Sequence, residues 1–135
     1  MDFIEWGPSL DVGVEEFNDQ HKQLCLLINE LFEAMHKGKG REVIGSVLSG
    51  LADYTVYHFA AEEKGFDELG YAEAPAHKAE HADFVRRVEE LRKKHEAGSF
   101  VVTADTLAFI KDWISNHIMK TDKAYEEFFH SKGVR

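Results

Sequence analysis

Apolar residues recur at spacings of three and four through four long stretches of this chain, and glycine or proline falls between the stretches. The first stretch reads Leu24, Leu27, Ile28, Leu31, Phe32, Met35 and stops at Gly38. The second reads Val47, Leu51, Tyr54, His58, Glu62, Phe66, Leu69 and stops at Gly70. The third opens at Pro75, carries His77, His81, Phe84, Val88, Leu91 and His95 on one face, and closes before Gly98. The fourth follows Thr103 with Leu107, Ile110, Ile114 and His117, then resumes one residue out of step at Asp122, Tyr125 and Phe129. A helix turns about 100° per residue, so each series lines a single face. The spacing predicts helices over about 18–38, 41–69, 75–97 and 104–130, with Asn18 or Asp19 capping the first and Thr103 the fourth. Residues 1–17, with Trp6, Gly7, Pro8 and Gly13, read as an extended arm laid across a core.

Four one-sided helices joined by short loops bury their stripes most simply as an all-α, up-down-up-down four-helix bundle. A length of 135 residues fits a single domain, 1–135, around one core. Only two prolines interrupt the chain, which favours long helices.

The stripes contain residues that an ordinary core would reject. His58 and Glu62, and likewise His77 and His81, stand four apart, about 40° from each other on one helix face. His21 lies three residues ahead of Leu24, and His117 continues the last stripe. One histidine in a core is usually satisfied by a hydrogen bond. When all four helices turn imidazole or carboxylate to the same interior, the cost without partners is several kcal/mol for each group, and a metal centre removes it. His21, His58, His77, His81 and His117 supply five imidazoles, and Glu62 and Asp122 two carboxylates. Seven donors exceed one tetrahedral zinc and suit two octahedral-type ions sharing carboxylates, for which iron is the best fit.

Charge and cysteine usage narrow the partners. Asp and Glu outnumber Lys and Arg by 25 to 16, for a formal net charge of -9, and no basic cluster stands out. Nucleic acid and anionic membrane surfaces are therefore poor partners. The single cysteine, Cys25, forms no intramolecular disulfide and reads as a buried structural thiol, which suits a reducing compartment. The opening "MDFIEWGPSL" has neither the basic nor the apolar region of a secretion signal, and no run reaches transmembrane length, so a cytoplasmic location without membrane insertion is expected. His36, His95 and His130 read as surface or helix-end histidines. Gly65 is unusual inside a helix, at a cost of about 1 kcal/mol relative to Ala. It serves either close helix approach or nothing beyond being tolerated.

The segments "DQH" at 19–21, "HFAAEE" at 58–63, "GY" at 70–71, "HKAEH" at 77–81 and "HIMKTD" at 117–122, with Trp6 and the "VGVEEF" lead-in, together resemble the hemerythrin family in its bacterial branch. The resemblance covers nearly the whole chain and fills all seven ligand positions. It implies one iron bound by His77, His81 and His117 and another by His21 and His58. Glu62 and Asp122 would bridge them, together with an oxo or hydroxo group. It implies reversible binding of dioxygen at the less fully ligated iron, or of small anions in the oxidised state. It also implies an apolar dioxygen pocket at Trp113, Ile114 and Ile118. Di-iron carboxylate enzymes in ferritin-like bundles draw on more glutamates and a Glu-x-x-His motif. Imidazole dominates here, which favours binding over turnover, so no enzymatic activity is expected. A di-iron enzyme acting on peroxide or nitric oxide, or an iron- or redox-sensing module, are the competing readings.

In "HIMKTD" an acid follows a histidine by five residues, which on a regular α-helix places the two about 140° apart. If both serve one centre, the helix must widen locally. A π-bulge between Ile118 and Thr121 would return Asp122 to the inner face and account for the shifted register at Tyr125 and Phe129.

Overall fold

The computed structural model describes residues 3–98 and 103–135. Met1 and Asp2, at the tip of the expected arm, lie outside them. Four long helices pack side by side: α1, Glu15–His36; α2, Arg41–Leu69; α3, Ala74–Glu96; and α4, Ala104–Asn116. The chain continues from α4 without a break through a π turn, His117–Asp122, and a 3-10 turn, Lys123–Tyr125, into a short α5, Glu126–Ser131. α1 packs on α2, α2 on α3, and α1 on α4, as expected of the bundle. Among the described residues there is no strand, and no helix is long and apolar enough to cross a membrane.

Each boundary has a local cause. α2 ends at Gly70, whose φ of 78° lets the chain leave the helix while its N–H and that of Tyr71 both reach the Phe66 carbonyl. Proline in its first turn opens α3, where a missing N–H costs nothing. The Thr103 hydroxyl accepts the Thr106 N–H at 3.3 Å and caps α4.

The start of α1 departs from the sequence expectation. The helix begins at Glu15, with Val14 in the capping position, three residues before Asn18. Asn18 is used in another way: its side-chain oxygen accepts the Val12 N–H, and its amide donates to Asp11. That pins the loop around Gly13, which has a φ of 76°. Glu15 and Glu16 supply the favourable charge that a side-chain cap would have given the helix dipole. The arm is correspondingly shorter, and it includes one 3-10 turn, Pro8–Leu10, that rests against the π turn.

Leu24, Ile28, Leu31, Leu48, Leu51, Phe66, Phe84, Val88, Leu107, Ile110 and Ile114 fill the core, and Tyr125 and Phe129 join them despite the register shift. His95 is a helix-end histidine, in the last turn of α3, but a buried one. It is 6% exposed, and its Nε2–H donates to the Arg41 carbonyl at 2.9 Å, tying the end of α3 to the start of α2. Gly45 makes room, since a Cβ there would stand 3.0 Å from the His95 ring. The inner face of α3 thus runs to its last turn. His36 is exposed and stacks on Phe32, and His130 donates to the Gly13 carbonyl at 2.7 Å.

Candidate metal centre

The seven side chains expected to meet do meet, beside the early turns of α1 and α3 and the later turns of α2. His21 comes from α1, His58 and Glu62 from α2, His77 and His81 from α3, and His117 and Asp122 from the two ends of the π turn. All seven are buried, Glu62 and Asp122 completely. The imidazole Nε2 atoms converge on the two carboxylates. Those of His21, His77 and His117 lie 3.1, 2.8 and 3.0 Å from Asp122, and those of His58 and His81 lie 3.4 and 3.3 Å from Glu62.

The π turn is what completes the set. The Lys123 N–H reaches back five residues to the Ile118 carbonyl, so the helix widens within the segment where the five-residue step requires it. Asp122 therefore faces inward, and the stripe continues at Tyr125 and Phe129.

The opposite edges of the rings face outward to partners. His81 Nδ1 lies 2.8 Å from Glu63, His117 Nδ1 lies 3.0 Å from Glu80, and His58 Nδ1 lies 2.6 Å from Gln20. The phenol of Tyr125 donates to Glu62 at 2.6 Å. A ring that donates from Nδ1 in its neutral form presents a lone pair at Nε2. His81 and His117 present their Nε2 atoms to each other at 3.1 Å, an arrangement that needs a proton or a cation between them.

Several atoms aimed at the interior have no hydrogen-bond partner: both ring nitrogens of His21, Nε2 of His58 and of His77, Oε1 of Glu62, and both oxygens of Asp122. So many orphaned polar atoms at one point would be costly in a metal-free core. In the absence of an ion, protons take the strain. Burial disfavours a charge on His21, but the Asp122 and Glu62 carboxylates beside its ring raise it to about 9. Burial pushes His58 down to about 4. Burial and mutual repulsion oppose ionisation of Glu62 and Asp122, yet the surrounding imidazoles hold both carboxyls well below their usual range. Burial, then the charges of Glu62 and Asp122, lift the Tyr125 phenol well above its ordinary value, so it remains a donor. Two buried anions ringed by lone pairs fit divalent cations.

The donors divide into two overlapping groups, Glu62, His77, His81, His117 and Asp122 on one side, and His21, His58, Glu62 and Asp122 on the other, with both carboxylates shared. Residues 12–129 match the family model of the hemerythrin HHE cation-binding domain. The chain belongs to the hemerythrin family. It is 44% identical over 108 residues to a bacteriohemerythrin of Methylococcus capsulatus, covering 80% of this chain and 82% of that one. It is 37% identical over 126 residues to a bacteriohemerythrin of Pseudomonas aeruginosa, covering 93% and 80%. A crystal structure of wild-type hemerythrin superposes with a TM-score of 0.88 at 39% identity, covering 93% of this chain and 96% of that one. Within this hemerythrin fold Trp113 is half-buried and stacks on His117 at 4.6 Å and on Phe84 at 4.2 Å, and Ile114 and Ile118 are buried.

Sequence reasoning gave no role at the centre to Gln20, Glu63, Glu80 or Phe59, and placed Tyr125 on the inner stripe without seeing its bond to Glu62. Phe59 stacks on His81 at 3.8 Å, nearly parallel. A signal was present for four of them, because Gln20, Phe59, Glu63 and Glu80 each sit immediately beside a donor in the chain. Adjacent residues on a helix point about 100° apart, so such a neighbour reaches a ring on another helix. Which ring it reaches depends on the packing.

Proposed function

We propose that this chain binds dioxygen reversibly at a non-haem di-iron centre, in storage, delivery or sensing. His77, His81 and His117 would hold one ion and His21 and His58 the other, with Glu62 and Asp122 shared by both. The observation that carries this reading is the unequal division of histidines around two shared carboxylates, three against two. The three-histidine side would offer an ion five protein donors and the two-histidine side four, so the second is left a donor short, where a small molecule could enter. Iron held there would supply reversible two-electron redox chemistry toward dioxygen. The protein supplies the surroundings. Glu62 and Asp122 bring two fixed negative charges, and Tyr125 holds one oxygen of Glu62 in place. Trp113, Ile114 and Ile118 set an apolar wall beside His117 that excludes water and slows irreversible oxidation.

Binding is favoured over turnover because the polar side chains around the centre are already engaged with one another: Tyr125 with Glu62, Gln20 with His58, Glu63 with His81 and Glu80 with His117. The test is a titration of reduced protein with dioxygen under argon, with iron counted per chain. Two irons per chain and an oxygenated spectrum that reverts under vacuum are expected. Oxidation that does not reverse, or sustained turnover of peroxide or nitric oxide with a reductant, would overturn the proposal in favour of an enzyme.

A further inference from the structure

The hydrogen bonds behind the donors are as unequal as the donors themselves. On the three-histidine side, two of the three rings are backed by carboxylates. Glu63 accepts from His81 Nδ1 at 2.8 Å, and Glu80 accepts from His117 Nδ1 at 3.0 Å. Glu80 also accepts the Thr121 hydroxyl at 2.9 and 3.2 Å, so one carboxylate of α3 fixes both a ring and the π turn that carries it. On the two-histidine side, His58 Nδ1 meets only the neutral Gln20 amide, and His21 Nδ1 has no partner among the described residues.

An imidazole whose N–H is held by an anion donates more strongly from its other nitrogen and is fixed in the tautomer and orientation a metal needs. A neutral amide fixes orientation without adding charge. Glu63 and Glu80 also stand at the protein surface, with side chains 31% and 48% exposed, so they keep their hydration while serving buried rings. Neither residue reaches a carboxylate or Nε2 atom of the centre itself.

We propose that Glu63 and Glu80 are positioning residues that make the three-histidine half of the centre hold its ion more tightly, leaving the two-histidine half as the exchangeable one. The proposal rests on the di-iron reading above and concerns affinity alone.

The experiment uses protein loaded with two ferrous ions per chain under argon and challenged with excess ferrous chelator, with iron release followed by absorbance. Two phases of one iron each are expected. Glu63→Gln and Glu80→Gln should each quicken the slow phase about tenfold or more and leave the fast phase alone. Gln20→Glu should do the reverse, slowing the fast phase. A merely structural role would move both phases together, and thermal melting of the loaded variants checks that the fold is kept. A single release phase in the unaltered protein, or Gln variants that change both phases equally or neither, would overturn the proposal. A chain that takes up no iron would instead overturn the di-iron reading itself, so the two failures are distinguishable.

Discussion

Single residues show where local preference yields to packing. Gly65 sits within α2, where glycine costs about 1 kcal/mol relative to alanine. A Cβ there would stand 3.1 and 3.2 Å from the ring of the buried Phe129, closer than ordinary contact, so the ring would have to shift by a few tenths of an ångström. The glycine therefore lets α2 approach the C-terminal end of the bundle, one of the two roles its position in the sequence left open. Replacing it sets a propensity gain of about 1 kcal/mol against an overpacking cost of about 1–3 kcal/mol. Gly65→Ala should lower stability by roughly 1 kcal/mol, read as a shift of a few degrees in thermal melting. An increase in melting temperature would mean that Phe129 yields.

At the scale of elements, the π turn absorbs one residue more than a regular helix would carry between His117 and Asp122. With a residue removed, the two would stand four apart, on one face of an ordinary α-helix. Deleting Lys120, which is exposed, should therefore straighten the helix and leave Asp122, Tyr125 and Phe129 facing inward, with iron content kept. Inserting one alanine after Lys120 should rotate all three by about 100° out of the core and abolish iron binding. Iron per chain and far-ultraviolet circular dichroism read both outcomes. Loss of iron on deletion would show that the centre needs the wide turn itself, beyond the register it restores. The four stripes marked the helices and the bundle, since apolar residues repeating at 3.6 have one economical way to be buried. The start of α1 was not legible, because Asn18 has the chemistry of a cap and only the contacts with Asp11 and Val12 show it otherwise engaged.

For the molecule as a whole, metal and proton compete for the same nitrogens. In the metal-free fold His21 keeps its proton up to about pH 9, while the unfolded chain releases it near 6.5. That stabilisation is whole below pH 6.5 and is lost as pH rises toward 9. His58 behaves oppositely: held down to about 4 in the fold, it makes the metal-free protein less stable as pH falls below 6.5. The metal-free protein should therefore melt highest near pH 6.5 and lose several degrees by pH 9. Iron needs the deprotonated ring, so the loaded protein gains over the same interval. Calorimetry with and without chelator should show the gap between the two forms widening from pH 6.5 to 9. A constant gap would mean that His21 does not carry the balancing proton.

The sequence by itself determined that four helices would form, which face of each would be buried, and that six of the seven side chains suited to bind metal lie on those faces. These follow from periodicity, which is local. The tertiary structure decided what those faces meet. It turned His95 toward Arg41, placed Glu63 behind His81 across 18 residues and Glu80 behind His117 across 37, and widened "HIMKTD" where its five-residue step called for it. Spacing along a helix gives a direction, but the partner in that direction is fixed only by how neighbouring helices are set against one another. For a group that must lose its water on burial, that partner determines whether its place in the fold is stable.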